Sequence, residues 1–182
     1  MGLIASVLAL FGCDQRKVDE AVNRAQEGAR AFWHSVQPDS TLFRGIETGV
    51  STEDDVRRTA GRPDIVWEDE SGARTLEYPR GPEGATTWQV TIGADGRVAK
   101  IEQVLTAENF ARVRAGMTED GVRRLLGRPT TVEAYARKRE TVWSYRWWES
   151  SQQQALFNVH FGADERVTHT SRSDDPSTTQ GS

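Results

Sequence analysis

Residues able to do chemistry are few in this chain of 182 residues. It has three histidines, His34, His160 and His169, and one cysteine, Cys13. His160 and His169 lie on or just beyond consecutive predicted strands, so the two imidazoles can approach each other across a sheet. A two-histidine metal site is conceivable there, but no His-x-x-x-His, Cys-x-x-Cys or aspartate-rich loop accompanies the pair. We therefore predict no metal site and no cofactor.

Sequence patterns for nucleophilic catalysis and for phosphate binding are also missing. No Gly-x-Ser-x-Gly elbow or P-loop occurs, and the segment GADGRV (93–98) has the spacing of a hairpin turn. We predict no catalytic residues, no small-molecule substrate and a protein that is not an enzyme. The net charge of −4 also disfavours nucleic acid as a partner, because proteins that bind it are usually basic.

Cys13 ends a short apolar run at the N-terminus, MGLIASVLALFGC. Residues 3–12 are too few to span a bilayer and have the length of a signal-peptide core. With Leu10 and Gly12 before the cysteine, the run resembles a bacterial lipobox. That resemblance implies removal of residues 1–12 and lipidation of Cys13. The alternative is a buried element with Cys13 as a small core residue.

Two details qualify the lipobox. No Lys or Arg precedes the apolar run, so we expect the true start to lie upstream of Met1. Asp14 follows the cysteine and resembles an inner-membrane retention signal of enteric bacteria. The sequence therefore does not decide whether the anchor lies in the inner or the outer membrane.

A candidate partner-binding surface is predicted from strand alternation. On TVWSYRWW (141–148), Trp143 and Trp147 face one way and Trp148 faces the other. The same outward face should carry Arg146, Asn158 and His160, and exposed Trp beside Arg is typical of binding hot spots. The alternative is that a loop or a neighbouring module covers Trp148.

An internal repeat organises the elements that carry these residues. Residues 42–63 align with residues 109–129, with Phe43 matching Phe110 and Gly49 matching Gly116. Further identities follow at an offset of 66: Val56, Arg57, Arg58, Gly61, Arg62 and Pro63 match Val122, Arg123, Arg124, Gly127, Arg128 and Pro129. GADGRV (93–98) then matches GADERV (162–167), so the correspondence runs through the whole unit.

Each copy has the pattern helix–helix–strand–strand–strand. Thr52 and Thr118 have the positions of N-caps, while Gly61 and Gly127 should end the following helices. We predict an α+β fold of two tandem modules, residues 42–104 and 105–170, each an antiparallel sheet with its helices on one face. Residues 13–41 should form an amphipathic helix (17–36) and a linker, and residues 171–182 a disordered tail.

The second copy resembles a known family. Its Asn-Phe, Gly-Met-Thr, Val-Arg-Arg-Leu-Leu-Gly-Arg-Pro, Trp-x-Tyr and Phe-Gly-Ala-Asp segments resemble the SmpA/OmlA domain, the domain of BamE lipoproteins. The resemblance implies a helix–helix–three-strand fold that follows a lipidated cysteine, consistent with Cys13. It also implies a non-catalytic envelope protein facing the periplasm, with the outer membrane favoured and the β-barrel assembly machinery as a possible partner.

Two alternative functions stay open. Tandem modules of this topology are similar to the β-lactamase inhibitor proteins. This similarity suggests the first alternative, that the chain is a proteinaceous inhibitor of a periplasmic hydrolase. The arginines at the helix ends could instead bind anionic lipid or cell wall, although cations at helix C-termini are commonly explained by the helix dipole. These arginines are Arg57, Arg58, Arg62, Arg123, Arg124 and Arg128.

Overall fold

The computed structural model describes residues 41–80, 84–151 and 153–176. They form two units, each a four-stranded antiparallel sheet with helix on one face. The first unit contains α1 (Glu53–Ala60), β1 (Ile65–Glu68), β2 (Arg74–Arg80), β3 (Thr86–Ile92) and β4 (Val98–Gln103). The second contains α2 (Ala107–Phe110), α3 (Glu119–Leu126), β5 (Thr131–Tyr135), β6 (Glu140–Trp148), β7 (Gln154–Phe161) and β8 (Val167–Asp174). The α+β class predicted from the sequence is confirmed.

Both sheets are meanders, with strand orders β1-β2-β3-β4 and β5-β6-β7-β8. One face of each sheet packs against its own helix and forms a separate core, because alternate strand residues point to that face. The first core contains Leu42, Val56, Ala60, Leu76, Tyr78, Val90, Ile92 and Val98. The second contains Leu105, Phe110, Val113, Val122, Leu126, Trp143, Tyr145, Val159, Phe161 and Val167.

The main helix of each unit begins and ends as its sequence predicts. Thr52 and Thr118 are N-caps whose hydroxyls accept hydrogen bonds from backbone N–H groups in the first turn. In α1, Asp55 completes a capping box, and hydrogen bonds from Thr52 lower the pKa of this carboxyl to about 2. Gly61 and Gly127 end the helices at φ of 83° and 77°, where a residue without Cβ is favoured.

Aligned residues of the two units make the same long-range contacts. The Gly49 N–H donates to the Val98 carbonyl at 2.7 Å, and the Gly116 N–H donates to the Val167 carbonyl at 2.8 Å. The buried hydroxyls of Tyr78 and Tyr145 each donate to the helix-ending glycine of their own unit, both at 3.2 Å.

The strand count differs from the predicted three per unit. Each sheet has an additional first strand, β1 or β5, which begins two residues after the Pro that follows the helix. Both are edge strands. All five residues of β5 are exposed, and the apolar run Ile-Val-Trp of β1 lacks the apolar–polar alternation that predicts a strand from sequence. In the first unit, turns occupy residues 42–45 and 48–50, where the first of two helices is predicted.

The second unit also extends beyond residue 170. Strand β8 continues to Asp174, so residues 171–174, placed in a disordered tail by composition, pair with β7. Its outward positions are polar, and the strand forms because the backbone of β7 offers an unpaired edge. The other calls on the signal segment, Cys13, residues 17–36, His34 and the last six residues lie outside the described residues.

The units contact each other through the end of α3 and the outer face of the first sheet, the face opposite its core. The Gln89 amide donates to the Arg124 carbonyl at 3.3 Å, and the Arg128 N–H donates to a Glu77 carboxylate oxygen at 2.7 Å. The Arg124 guanidinium lies over the Trp67 ring at 5.8 Å. The second unit therefore covers part of the outer face of the first sheet. No helix in the described part of the chain is long and apolar enough to cross a membrane.

Candidate functional site

The candidate site is the outer face of the second sheet, opposite its core. On β6 the even-numbered residues from Glu140 to Trp148 share this face, because side chains alternate along a strand. The strand register brings Asn158 and His160 of β7 onto it, opposite Ser144 and Val142. The four residues predicted as a partner-binding set, Trp148, Arg146, Asn158 and His160, therefore do share one face.

Arg146 and Asn158 are nevertheless engaged within the chain. Arg146 is 7% exposed and forms a bidentate ion pair with the fully buried Asp175, with one N–O distance of 3.3 Å. The Asn158 amide donates to the hydroxyls of Ser171 and Ser173 at 3.4 and 3.1 Å. These contacts fix residues 171–175 to the sheet, and the polar groups of Arg146 and Asn158 are not presented at the surface.

His160 belongs to a cluster with Glu140 and His169. His160 Nδ1 lies 2.9 Å from Glu140 Oε1, and His160 Nε2 lies 3.0 Å from the Ser171 hydroxyl. His169 pairs directly with His160 across β7 and β8, and the two rings stack at 4.0 Å. The hydrogen bond with His160 holds the pKa of Glu140 below its ordinary value. The proximity of the two histidines agrees with the prediction from consecutive strands. Glu140 was not predicted, although it shares the outward alternation of Arg146.

Trp148 is the member of the predicted set that is open to solvent, with 41% of its surface exposed. It lies at the end of β6, opposite Gln154. On the neighbouring edge strand β5, Val132 and Tyr135 are 55% and 43% exposed. Tyr135 lies opposite Glu140, at the other end of β6 from Trp148, whereas Val132 pairs with the core residue Trp143 and so lies on the core side of the sheet. Because β5 is an edge strand, its outer backbone N–H and C=O groups can pair with an added strand. An exposed edge with large apolar side chains is a suitable surface for protein binding.

The arginines at the helix ends mostly have partners within the chain. Arg57 pairs with Glu53 and Arg58 with Asp55, each at 2.7 Å. In the second unit the guanidinium of Arg123 lies over Trp143 at 5.2 Å. Arg128 lies 3.6 Å from Asp64 across the unit interface. These contacts support a structural role for the arginines more than a surface reserved for anionic lipid.

A cleft of about 430 Å³ lies where the two units meet. It is lined from the first unit by Pro79, Gly84 and Thr87, and from the second by residues 128–131. Among the described residues that line it, Arg128 is the single ionisable one.

Residues 102–171 match the family model described as "Outer membrane protein assembly factor BamE domain". The second unit is a SmpA/OmlA-like domain. This confirms the resemblance read from its Phe, Gly, Pro and Trp positions. The matched range covers β5–β7 and most of β8, and therefore includes Trp148 and the Glu140–His160–His169 cluster.

Solved structures provide two further similarities. A putative osmotically inducible lipoprotein, OsmE, is 24% identical, with a TM-score of 0.34 over 39% of this chain and 75% of that chain. A DUF4309 family protein, YjgB from Bacillus subtilis, is 16% identical, with a TM-score of 0.27 over 75% of this chain and 95% of that chain. No curated protein matches the chain.

Proposed function

We propose that this chain is a non-catalytic, lipid-anchored protein of the bacterial cell envelope that binds other envelope proteins. The match of residues 102–171 to the BamE domain carries the proposal, since that domain is named for outer-membrane protein assembly. The lipobox-like sequence before Cys13 supports an anchor in the membrane, and the domain match favours the outer membrane facing the periplasm. Components of the β-barrel assembly machinery are the partners to test first.

The binding surface we propose extends from Tyr135 on the β5 edge, opposite the start of β6, to Trp148 at the end of β6. Exposed aromatic residues bury a large apolar surface on binding, which makes Trp and Tyr effective anchors in interfaces. Trp148 and Tyr135 are both more than two-fifths exposed, whereas Arg146 and Asn158 are occupied by partners within the chain. Of the predicted partner-binding residues we therefore keep Trp148, and we add the exposed residues of the β5 edge.

Site-specific photo-crosslinking in the native envelope tests this surface. A photoreactive amino acid is placed at Trp148, at Tyr135, or at the exposed control position Lys100 on β4 of the first unit. We expect the first two positions to crosslink to the same envelope protein and Lys100 not to do so. Equal crosslinking from all three positions, or none from Trp148 and Tyr135, would contradict the proposed surface.

Lipidation is tested separately by the intact mass of the protein extracted from membranes. The expected species begins at residue 13 and carries added acyl mass, and Cys13→Ser should release the protein from the membrane fraction. An unmodified chain that retains residues 1–12 in the cytoplasm would contradict both the anchor and the envelope assignment.

One observation weighs against the inhibitor alternative. It needs a concave surface that spans both sheets, but the end of α3 occupies part of the outer face of the first sheet. Inhibition of a periplasmic hydrolase with one-to-one stoichiometry would restore this alternative. Vesicle or cell-wall binding that is lost in R123E/R124E would instead support the lipid-binding alternative.

A further inference from the structure

The cluster of Glu140, His160 and His169 brings three potential metal ligands from three adjacent strands to one place. One ligand atom from each residue lies within 4.8 Å of the others. We propose that these residues form a binding site for a divalent transition-metal ion, with Zn²⁺ as the best-fitting cation. Two imidazoles and one carboxylate are a ligand set that zinc accepts, leaving a fourth position for water.

The distances between ligand atoms suit this ion after small side-chain movements. Zinc–nitrogen and zinc–oxygen bonds of about 2.0–2.2 Å in a tetrahedron place neighbouring ligand atoms roughly 3.4 Å apart. His160 Nδ1 and Glu140 Oε1 are 2.9 Å apart, slightly closer than the metal would hold them. The remaining separations, up to 4.8 Å, are closed by rotating the side chain of His169, which is exposed to solvent.

The backbone beneath the cluster is fixed by sheet pairing. His160 pairs with Val142 of β6 on one side and with His169 of β8 on the other, so the two imidazoles leave adjacent strands at the same level. Immediately beyond this pair, the β7–β8 register shifts between His160 and Phe161. Irregularities of this kind re-aim side chains next to sites. Only side-chain rotation is then needed to bind the ion, which keeps the entropic cost low.

A bound ion would link β6, β7 and β8, of which β8 is an edge strand. Because the native pairing creates the site, an ion that binds the folded chain stabilises it by mass action.

The test uses the full chain and Zn²⁺ alone. Equilibrium dialysis should show one Zn²⁺ per chain, with affinity reduced tenfold or more in H160A, H169A and E140Q. The thermal midpoint should rise with Zn²⁺ in the wild type and not in these variants. Ser171→Ala is the matched control, because it removes the hydroxyl beside His160 Nε2 but keeps all three ligands. It should bind Zn²⁺ at least as tightly as the wild type.

A second readout separates coordination from unfolding. Co²⁺ bound through two imidazoles and a carboxylate should give visible absorption bands, and H169A should lose them. Because His169 is exposed, H169A should keep the wild-type circular dichroism spectrum. No Zn²⁺ binding by the wild type, or equal binding by H160A, H169A and the wild type, would overturn the proposed site.

Discussion

At the scale of single residues, Glu77 shows how one buried carboxyl links the two units. Its side chain is fully buried and accepts the Arg128 N–H, and burial raises the pKa of Glu77 above its ordinary value of 4.5. The folded state therefore holds the proton to higher pH than the unfolded state does. The stability that the protonated Glu77 gives to the folded state is fully present at pH below 4.5. It is lost as the pH rises through the pKa of Glu77 in the folded state.

Glu77→Gln removes that titration while keeping an oxygen that can accept the Arg128 N–H. We expect the free energy of unfolding of E77Q, relative to the wild type, to increase between pH 4 and pH 7. Urea denaturation at the two pH values measures it. Glu68→Gln, an exposed change on β1, is the control and should show no such increase. A relative stability of E77Q that stays constant or falls with pH would contradict the explanation.

The buried tyrosine hydroxyls give a second prediction at this scale. Tyr78 and Tyr145 each donate to the carbonyl of a helix-ending glycine, and burial raises the pKa of Tyr78 to about 12. Tyr78→Phe and Tyr145→Phe should each lower the free energy of unfolding by about 1–3 kcal/mol, because a buried carbonyl loses its donor. The exposed Tyr135→Phe should cost less than about 0.5 kcal/mol. Equal costs in urea denaturation at all three positions would argue against this role.

In the candidate site, the sequence predicts the face of the sheet on which a residue lies but not its distant partners. Alternation along β6 and β7 correctly assigned the outward face of Trp148 and His160, because the period of a strand is fixed by its backbone. It also indicated an exposed Arg146, whose carboxylate partner Asp175 lies 29 residues further along the chain. Such a pairing depends on the register of β8, and nothing local in either residue predicts it.

At the scale of elements, helices with caps were predictable and edge strands were not. Thr118 and Gly127 mark the ends of α3 chemically, through a hydroxyl acceptor and a left-handed backbone. Strand β5 has no comparable mark, since all of its residues are exposed and its formation depends on pairing with β6. The same dependence on a neighbour explains why polar residues 171–174 form a strand.

The end of α3 also gives a prediction for a whole element. Gly127 has φ +77° and ψ −161°, a conformation that favours glycine, and a Cβ there would lie 2.9 Å from both Glu77 Oε1 and Thr87 Cγ2. Gly127→Ala should therefore cost more than about 3 kcal/mol in urea denaturation. Gly116→Ala, with φ +86° and open space around it, should cost only about 1–2 kcal/mol.

Adding T87S to G127A separates the two causes, because serine lacks the methyl group that the new Cβ would meet. The double variant should recover part of the stability lost in G127A. If the double variant recovers no stability, the cost of G127A comes from the backbone conformation and from the contact with Glu77.

At the scale of the molecule, the unit interface determines whether the chain unfolds as one body. Each unit has its own core, and the two meet where α3 contacts the outer face of the first sheet through Gln89 and Trp67. These contacts join the end of α3 to the first sheet, and they include the buried Glu77 carboxylate and the Trp67 ring. Because they couple the two cores, we expect the wild type to unfold in one calorimetric transition.

W67A/Q89A removes the contacts of Trp67 and Gln89 with α3 and leaves those of Arg128 with Glu77 and Asp64. It should weaken the coupling between the units without a change in either core. The calorimetric enthalpy should then exceed the van't Hoff enthalpy, as two transitions separate. Thr91→Ala, which keeps both contacts and lies on the same outer face, should leave a single transition. If the wild type already unfolds in two steps, the units are energetically independent. Partner binding through β5 and Trp148 would then stabilise the second unit alone, whereas in the coupled protein it would raise the stability of the whole chain.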